Sequence, residues 1–447
     1  MNALEDQVRR ALRETAEDIT PMDVPPLRLP DGTGRASAGG GRWAARWPAW
    51  VTPLAAAAAV VAVLAATLAL TGGQREPRAR TDALLASVPR YYVMLASSTG
   101  HGGSNLGWPL RAEIRATATG RIVAALAPPR PDNVFVMAAA ASGVGRYVLA
   151  AQRMAIQRQR NIRVPVPAGP IRLYQLSISP SGQVSALSPL PFPAVPASTT
   201  LYGLALTPDG RELAVATRAG GPRPGPEIQV DALATGAQRV WTWPGAQPVI
   251  ESLGGTGSAL SWAADDRTLA FGQLINGRYN VRLLDTAAPG SSLAASRPAL
   301  SLDWSGRSDS RRFHHGRAVN DNDTFGALLT PDGSKIICAT ITQTRHPLAS
   351  EFAFTEFSAQ TGKVVAVLGR FWFLGRWPQQ EQAVLWTNTD GSTLLVQAHR
   401  PGVTRRPATP PGQGATFRVE FGVLHGHRYA PLPGQRRLGQ LSIYPAW

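Results

Sequence analysis

The sequence predicts an all-β chain: a six-bladed β-propeller closed by its own C-terminal strand, preceded by one transmembrane helix and a short N-terminal amphipathic helix. Three observations predict it. Two families of Gly turns alternate along residues 82–447. An uncharged, Ala-rich stretch around residue 60 is long enough to span a bilayer. Gly and Pro number 44 and 38 in 447 residues, which disfavours a helical bundle and favours short strands joined by turns. The single cysteine, Cys338, excludes a disulfide framework and any Cys-based zinc site, and its setting in Ile336–Thr340 marks it as a buried strand thiol.

Residues 1–20 read as a cytosolic amphipathic helix. Leu4, Val8, Ala11, Leu12, Thr15 and Ile19 recur at helical spacing on one stripe, and Leu4, Val8, Leu12 and Ile19 form its docking face. Asn2 and Glu5 provide a capping box, and Thr20-Pro21 ends the helix. A helix this short is marginal alone, so the stripe is either a frayed tail or a docking surface for a cytosolic protein. Residues 21–48 form a flexible Pro/Gly/Arg linker. Residues 49–72 read as the transmembrane helix: Trp47 to Gln74 contains no ionisable residue, and Val51–Thr71 would span roughly 32 Å at helical rise. Trp43, Trp47 and Trp50 cluster at one end as an interfacial belt. The leader is too long for a cleaved signal peptide, and the exit Leu70-Thr71-Gly72 lacks a small-x-small site. Arg residues flank the span almost equally, so orientation rests on the large domain that follows. The expectation is a single-pass protein of the cell membrane with the N-terminus cytoplasmic and the propeller extracytoplasmic. Residues 73–89 are a juxtamembrane linker to the propeller at 90–447.

Within the propeller one turn family ends a strand in Pro-Asp-Gly or a variant: Leu206–Gly210, Leu329–Gly333, Trp386–Gly391 and the degenerate Leu260–Asp266. The other ends in Thr-Gly or a variant: Ala112–Gly120, Ser181-Gly182, Ile228–Gly236, Phe352–Gly362 and His425-Gly426. Both place Gly where a hairpin needs positive φ. Alternating them gives four-stranded units with strands A to D from the inside outward, the size of a propeller blade. Five units are complete: Asn133–Pro191, Thr199–Gly245, Gly257–Leu300, Asp323–Gly369 and Gln382–Gly434. The chain enters on strands B, C and D alone (Arg90–Ser97, Leu110–Gly120, Arg121–Pro128) and leaves on a lone strand, Leu438–Trp447. Joining the fragments makes the sixth blade and leaves no open edge.

These Asp-Gly and Thr-Gly patterns resemble the WD-repeat-like propellers of the TolB-like class. The layout of short helix, Ala-rich span and propeller is similar to a group of actinobacterial single-pass membrane proteins. The resemblance implies a binding or sensing module rather than an enzyme. Because genes of that group often neighbour extracytoplasmic-function sigma factors, it also implies a sigma factor as a cytosolic partner. Residues 1–47 contain no His or Cys, so the zinc signature of many anti-sigma domains is missing.

The formal charge of +16 comes from 45 basic and 29 acidic residues, and all but two of the basic ones (Lys335, Lys363) are Arg. Residues 1–80 hold ten Arg against eight acids, so nearly all the excess lies in the propeller. Blade connectivity sorts the loops: A–B and C–D turns share the short-turn end, and B–C and D–A loops share the other. The long loops expected there are 98–110, 153–169, 218–226, 300–322, 343–351, 370–381 and 399–416, on the end facing away from the bilayer. They carry the candidate ligand-binding set: Arg153, Arg158, Arg160 and Arg163; Arg311 and Arg312 with His314 and His315; Arg405 and Arg406. Converging Arg loops would attract an anionic ligand or an acidic protein of the cell envelope, unless they simply form a solvated surface in an Arg-biased composition.

A second reading is a propeller hydrolase or lyase that uses carboxylates at the channel entrance, Asp132, Asp321, Asp323 and Glu381, with His314 or His315 and Ca²⁺. The cores of the six inner strands hold no Asp, Glu or His, which favours the binding module. His425 and His427 would place two imidazoles on one strand face, but no third ligand is identifiable, so no metal site is assigned. The expectation is no cofactor, no nucleic-acid partner and a monomer.

Overall fold

The alternation of turns folds into the six four-stranded units it predicts. The computed structural model describes residues 85, 88–97, 109–130, 133–159, 162–219, 225–244, 249–250, 259–276, 278–288, 292–303, 322–344, 349–374, 383–401, 417–426, 428–433 and 445–446. Blade 1 combines β1 (Tyr91–Ser97), β2 (Pro109–Ala116) and β3 (Ile122–Leu126) with the last strand of the chain, β25 (Pro445–Ala446). Blade 2 is β4 (Asn133–Ala141), β5 (Arg146–Gln159), β6 (Ile162–Ser177) and β7 (Ser188–Pro189). Blade 3 is β8 (Thr200–Leu206), β9 (Glu212–Arg218), β10 (Pro226–Ala232) and β11 (Gln238–Thr242). Blade 4 splits its inner strand into β12 (Val249–Ile250) and β13 (Leu260–Trp262), followed by β14 (Thr268–Ile275), β15 (Arg278–Asp285) and β16 (Arg297–Asp303). Blade 5 is β17 (Asn322–Leu329), β18 (Lys335–Thr344), β19 (Ala349–Ser358) and β20 (Val364–Leu374). Blade 6 is β21 (Ala383–Thr387), β22 (Thr393–Pro401), β23 (Phe417–His425) and β24 (Arg428–Pro431). All neighbouring strands are antiparallel, and β25 pairs with β1 through Val93↔Ala446 and Met94↔Pro445.

The blades close into a ring because each buries both faces. The buried apolar residues fall into six clusters, one between every pair of consecutive blades, including blades 6 and 1. The second strands are therefore apolar at successive positions rather than alternating. In β9, Leu213 and Val215 pack with blade 2 while Ala214 and Ala216 pack with blade 4. Outer strands keep the half-buried alternation: in β11 only Trp241 is buried. Four inner strands carry a register shift, at Phe135/Met137, Leu201/Gly203, Phe325/Ala327 and Val384/Trp386. A β-bulge bends and twists the strand that bears it, so the inner strands of these blades are bent.

The two turn families behave as read. Gly210 and Gly333 lie at φ 69° and 71° in A–B turns, and Gly236 and Gly362 at 70° and 67° in C–D turns. In the degenerate copy Asp266 occupies the same left-handed region, at φ 50°. A different glycine requirement operates inside the sheet. A Cβ on Gly272 would stand 2.3 Å from the Tyr279 hydroxyl, and one on Gly422 would stand 2.3 Å from the Tyr429 ring. In both cases the Tyr lies diagonally across the ladder, with Leu274↔Tyr279 and Leu424↔Tyr429 in register, and covers the glycine's bare backbone.

Several expected loop and blade limits need correction. Residues 153–169 are not a loop: β5 and β6 run through them as one hairpin of 14- and 16-residue strands. The blade 4 unit begins before Gly257, because Val249–Ile250 already pairs with β14. The closing contact falls inside the expected last strand, Leu438–Trp447, where Pro445–Ala446 pairs with β1; residues 441–444 lie outside the described residues. Several other loops are shorter at their ends, because strands continue to Thr344, Leu374 and Pro401. The N-terminal helix, the transmembrane helix at 49–72 and both linkers up to residue 84 lie outside the described residues. Among the described residues no helix is long and apolar enough to cross a membrane.

Candidate functional site

Connectivity gives the propeller two unlike ends. The short-turn end is a set of carboxylate turns, satisfied from within except at Asp266, whose buried Oδ1 has no hydrogen-bond partner. In blade 3 the Thr207 hydroxyl donates to Asp209 Oδ1 at 2.7 Å and accepts from the amides of Arg211 and Glu212. Blade 5 repeats this at Thr330, Asp332 and Lys335. Burial alone would raise the Asp332 pKa, but hydrogen bonds from Thr330 and Ser334 and the charge of Lys335 outweigh it and hold the carboxyl below its ordinary range. In blade 4 the same contest at Asp265 is decided by Thr268 and Arg267, again lowering the pKa. Asp390 is lowered mainly by the Ser392 amide. Asp266 moves the other way: burial and the neighbouring Asp209 charge raise it. The A–B turns of blades 3 to 6 thus set Asp209, Asp265, Asp266, Asp332 and Asp390 at one end of the inner strands. The Pro-Asp-Gly signal contains these carboxylates, yet as a turn signal it does not point to them as a group.

Charged side chains near this end also tie blades together. Arg146 Nη1 of blade 2 donates to the Gly210 carbonyl of blade 3 at 3.0 Å. Arg239 Nη1 of blade 3 donates to Thr286 O of blade 4 at 2.7 Å, while its Nη2 meets Glu212 at 2.6 Å. Arg297 Nη1 of blade 4 donates to Ala359 O of blade 5 at 2.9 Å. In blade 1 the buried Glu113 is gripped by Arg111 and Arg115, each at 2.6 Å. These five Arg residues therefore serve the fold.

One buried carboxylate lacks such a partner. Asp231 in β10 is wholly buried; its Oδ1 accepts from Gln229 Nε2 at 2.7 Å, and its Oδ2 has no protein hydrogen-bond partner. Burial raises its pKa against the hydrogen bonds of Gln229 and Gln238. A carboxyl raised in the folded state contributes stability that is full below its unfolded pKa and lost as pH rises through the folded value. Asp231→Asn is therefore expected to stabilise the fold at pH 7 by ~1 kcal/mol, the order of a buried polar mismatch. The gain should vanish near pH 3, where Asp231 is protonated in both states. Thermal melts at the two pH values measure this, and an equal gain at both would refute the charge argument.

The long-loop end is described in part. Arg153 lies in β5 with an exposed side chain whose Nη2 donates to the Ala168 carbonyl at 2.8 Å. Arg158 and Arg163 are cross-strand partners farther along the same hairpin. The structure thus brings Arg153, Arg158 and Arg163 onto one two-stranded ribbon, where a loop was expected. Arg160, Arg311, Arg312, His314, His315, Arg405 and Arg406 lie outside the described residues, as do Asp132, Asp321, Glu381 and the stripe Leu4, Val8, Leu12 and Ile19. Asp323 falls in β17, opposite Ile341.

His425 ends β23, its Nδ1 2.9 Å from the Thr393 hydroxyl, and Gly426 follows at φ 56°. His427 lies outside the described residues. Among the described residues no three His, Cys, Asp or Glu side chains group as metal ligands. Cys338 is fully buried, and burial pushes its thiol pKa up, as an inert strand thiol requires.

No family model matches the chain, and no curated protein does. Among solved structures it is similar to TolB from Acinetobacter baumannii (14% identity, TM-score 0.35, 78% of this chain and 69% of that one). It is also similar to a putative TolB from Agrobacterium tumefaciens (10%, 0.38, 76% and 88%). A third is prolyl oligopeptidase B from Galerina marginata, bound to a 35mer hydrolysis and macrocyclization substrate (9%, 0.38, 84% and 55%). At these identities and scores the likeness carries no argument about activity. The propeller rests on the strand order and inter-blade clusters described above.

Proposed function

We propose that the chain is a membrane-anchored, extracytoplasmic binding or sensing module. Its long-loop end takes an anionic or acidic ligand, and its N-terminal helix relays to a cytosolic protein, a sigma factor being the partner that the actinobacterial resemblance suggests. The supporting observation is the β5–β6 ribbon, which gathers Arg153, Arg158 and Arg163 on one hairpin of the long-loop end. Clustered cations on a projecting element concentrate positive potential where a ligand first arrives.

Inorganic polyphosphate is a suitable probe of this charge. The full chain should bind it in a salt-sensitive manner, and replacing Arg153, Arg158, Arg160 and Arg163 together by Ala should weaken binding by about tenfold or more. Binding unchanged by that variant would remove the ribbon from the site. Anchoring and orientation have a separate test. Protease added to intact cells should digest residues 90–447, and protection of that domain would reverse the topology.

A further inference from the structure

The β5–β6 ribbon has two edges, and they are not alike. Strand β4 stops pairing with β5 at Asn133↔Arg153, while β5 and β6 continue from Met154↔Pro167 to Gln159↔Ile162. On the other side β7 pairs with β6 only at Tyr174 and Gln175, and Val195 bridges Ile171. Among the described residues, then, 154–159 and 162–167 pair only with each other.

The edge of β6 is blunted. It carries Pro165, Pro167 and Pro170, and proline has no amide hydrogen to offer an incoming strand. Proline inside a two-stranded ladder sits where its nitrogen faces away from the partner strand. Met154↔Pro167 and Ile156↔Pro165 are therefore the non-hydrogen-bonded pairs, and Arg158↔Arg163 is the next in that alternation. In such pairs the other strand also turns its backbone outward. The N–H and C=O groups of Met154, Ile156 and Arg158 thus form an uninterrupted hydrogen-bonding edge on β5, which contains no proline. Protecting one edge of a ribbon and leaving the other complete directs any added strand to the complete one. The charge pattern says what that strand carries. Like charges at paired positions destabilise a ladder, and Arg158 and Arg163 are register partners in this one, so carboxylates laid alongside would offset the repulsion.

We infer that the β5 edge from Met154 to Arg158 is a strand-addition site for an extended acidic segment of a partner protein, which prolongs the blade 2 sheet past the end of β4. The inference rests on the binding-module reading and deepens it by naming the ligand class and the mode of docking.

The test uses the full chain and a fluorescein-labelled peptide of alternating Glu and Val, about ten residues long, the length of a generous strand. Fluorescence polarisation should show saturable binding. The same peptide N-methylated at every residue keeps every side-chain charge but loses its backbone donors on both edges, and should bind at least about tenfold more weakly. A Lys-Val peptide should not bind. In the protein, Arg158→Glu with Arg163→Glu should weaken the Glu-Val peptide about tenfold, with an unchanged circular-dichroism melt as the control for folding. Equal binding of the methylated and parent peptides overturns strand addition, as does failure of the parent peptide to bind. If polyphosphate binds while the peptide does not, the binding-module reading stands and this inference falls. Sedimentation showing a dimer that excludes the peptide would make a second copy of the chain the occupant, and would also overturn it.

Discussion

Lys335→Met is expected to lower the free energy of unfolding by about 3 kcal/mol. The Lys335 ammonium stands 3.2 Å from Glu356 Oε1 and donates to the Asp390 carbonyl of the next blade at 2.9 Å. Glu356 is only 3% exposed, so removing its cation strands a carboxylate in the interior between blades 5 and 6. The surroundings leave little room to compensate. Gly391 lies at φ 82°, and a Cβ there would sit 2.6 Å from Glu356 Oε1, so the turn presses bare backbone against the carboxylate. Adding Glu356→Gln to Lys335→Met should recover most of the loss, because the stranded charge goes with the substitution. Urea unfolding with an unchanged slope measures both variants. A loss below ~1 kcal/mol would rank the pair with exposed ion pairs and refute the argument.

Trp262→Ala should cost more, about 3–5 kcal/mol. Trp262 is buried in the cluster between blades 3 and 4, and its indole N–H donates to the Ala205 carbonyl of β8 at 3.0 Å. Trp262→Phe separates the two contributions. It keeps much of the apolar volume but leaves Ala205 O without that donor, for a loss of ~1 kcal/mol. Equal losses from the Phe and Ala variants would mean that the hydrogen bond, not the buried ring, holds this interface.

The contrast between these two residues and the turns shows what local sequence can carry. Gly210, Gly236, Gly333 and Gly362 were legible because a positive φ leaves its mark within four residues of chain, and the blade count and ring closure followed from their spacing. The Lys335–Asp390, Trp262–Ala205 and Arg146–Gly210 contacts join residues 55, 57 and 64 positions apart. No local pattern announces them; they exist only once neighbouring blades meet. The β5–β6 ribbon failed to show for a different reason. Val164 and Val166 alternate with Pro165 and Pro167, and the prolines read as loop although an edge strand tolerates them where the amide faces outward. In blade 4, Val249–Ile250 is too short a strand to leave a signal. Of the candidate site, the sequence marked the Arg residues of 153–163 but misread the element that carries them. It did not mark the carboxylates of the A–B turns as a group at all.

The pairing of β25 with β1 has a consequence for assembly. Blades 2 to 6 each draw their strands from one continuous run of chain and can form as that run is delivered. Blade 1 cannot, because its innermost strand arrives last. Until then β1 presents a bare edge, the kind of surface on which incomplete chains associate. Joining segments so far apart in sequence is also a slow step. Nascent propellers therefore pass through an open stage, with five blades complete and three of four strands in the sixth, until β25 joins β1. Tension applied between the ends of the finished domain would load that clasp before it reached any other blade.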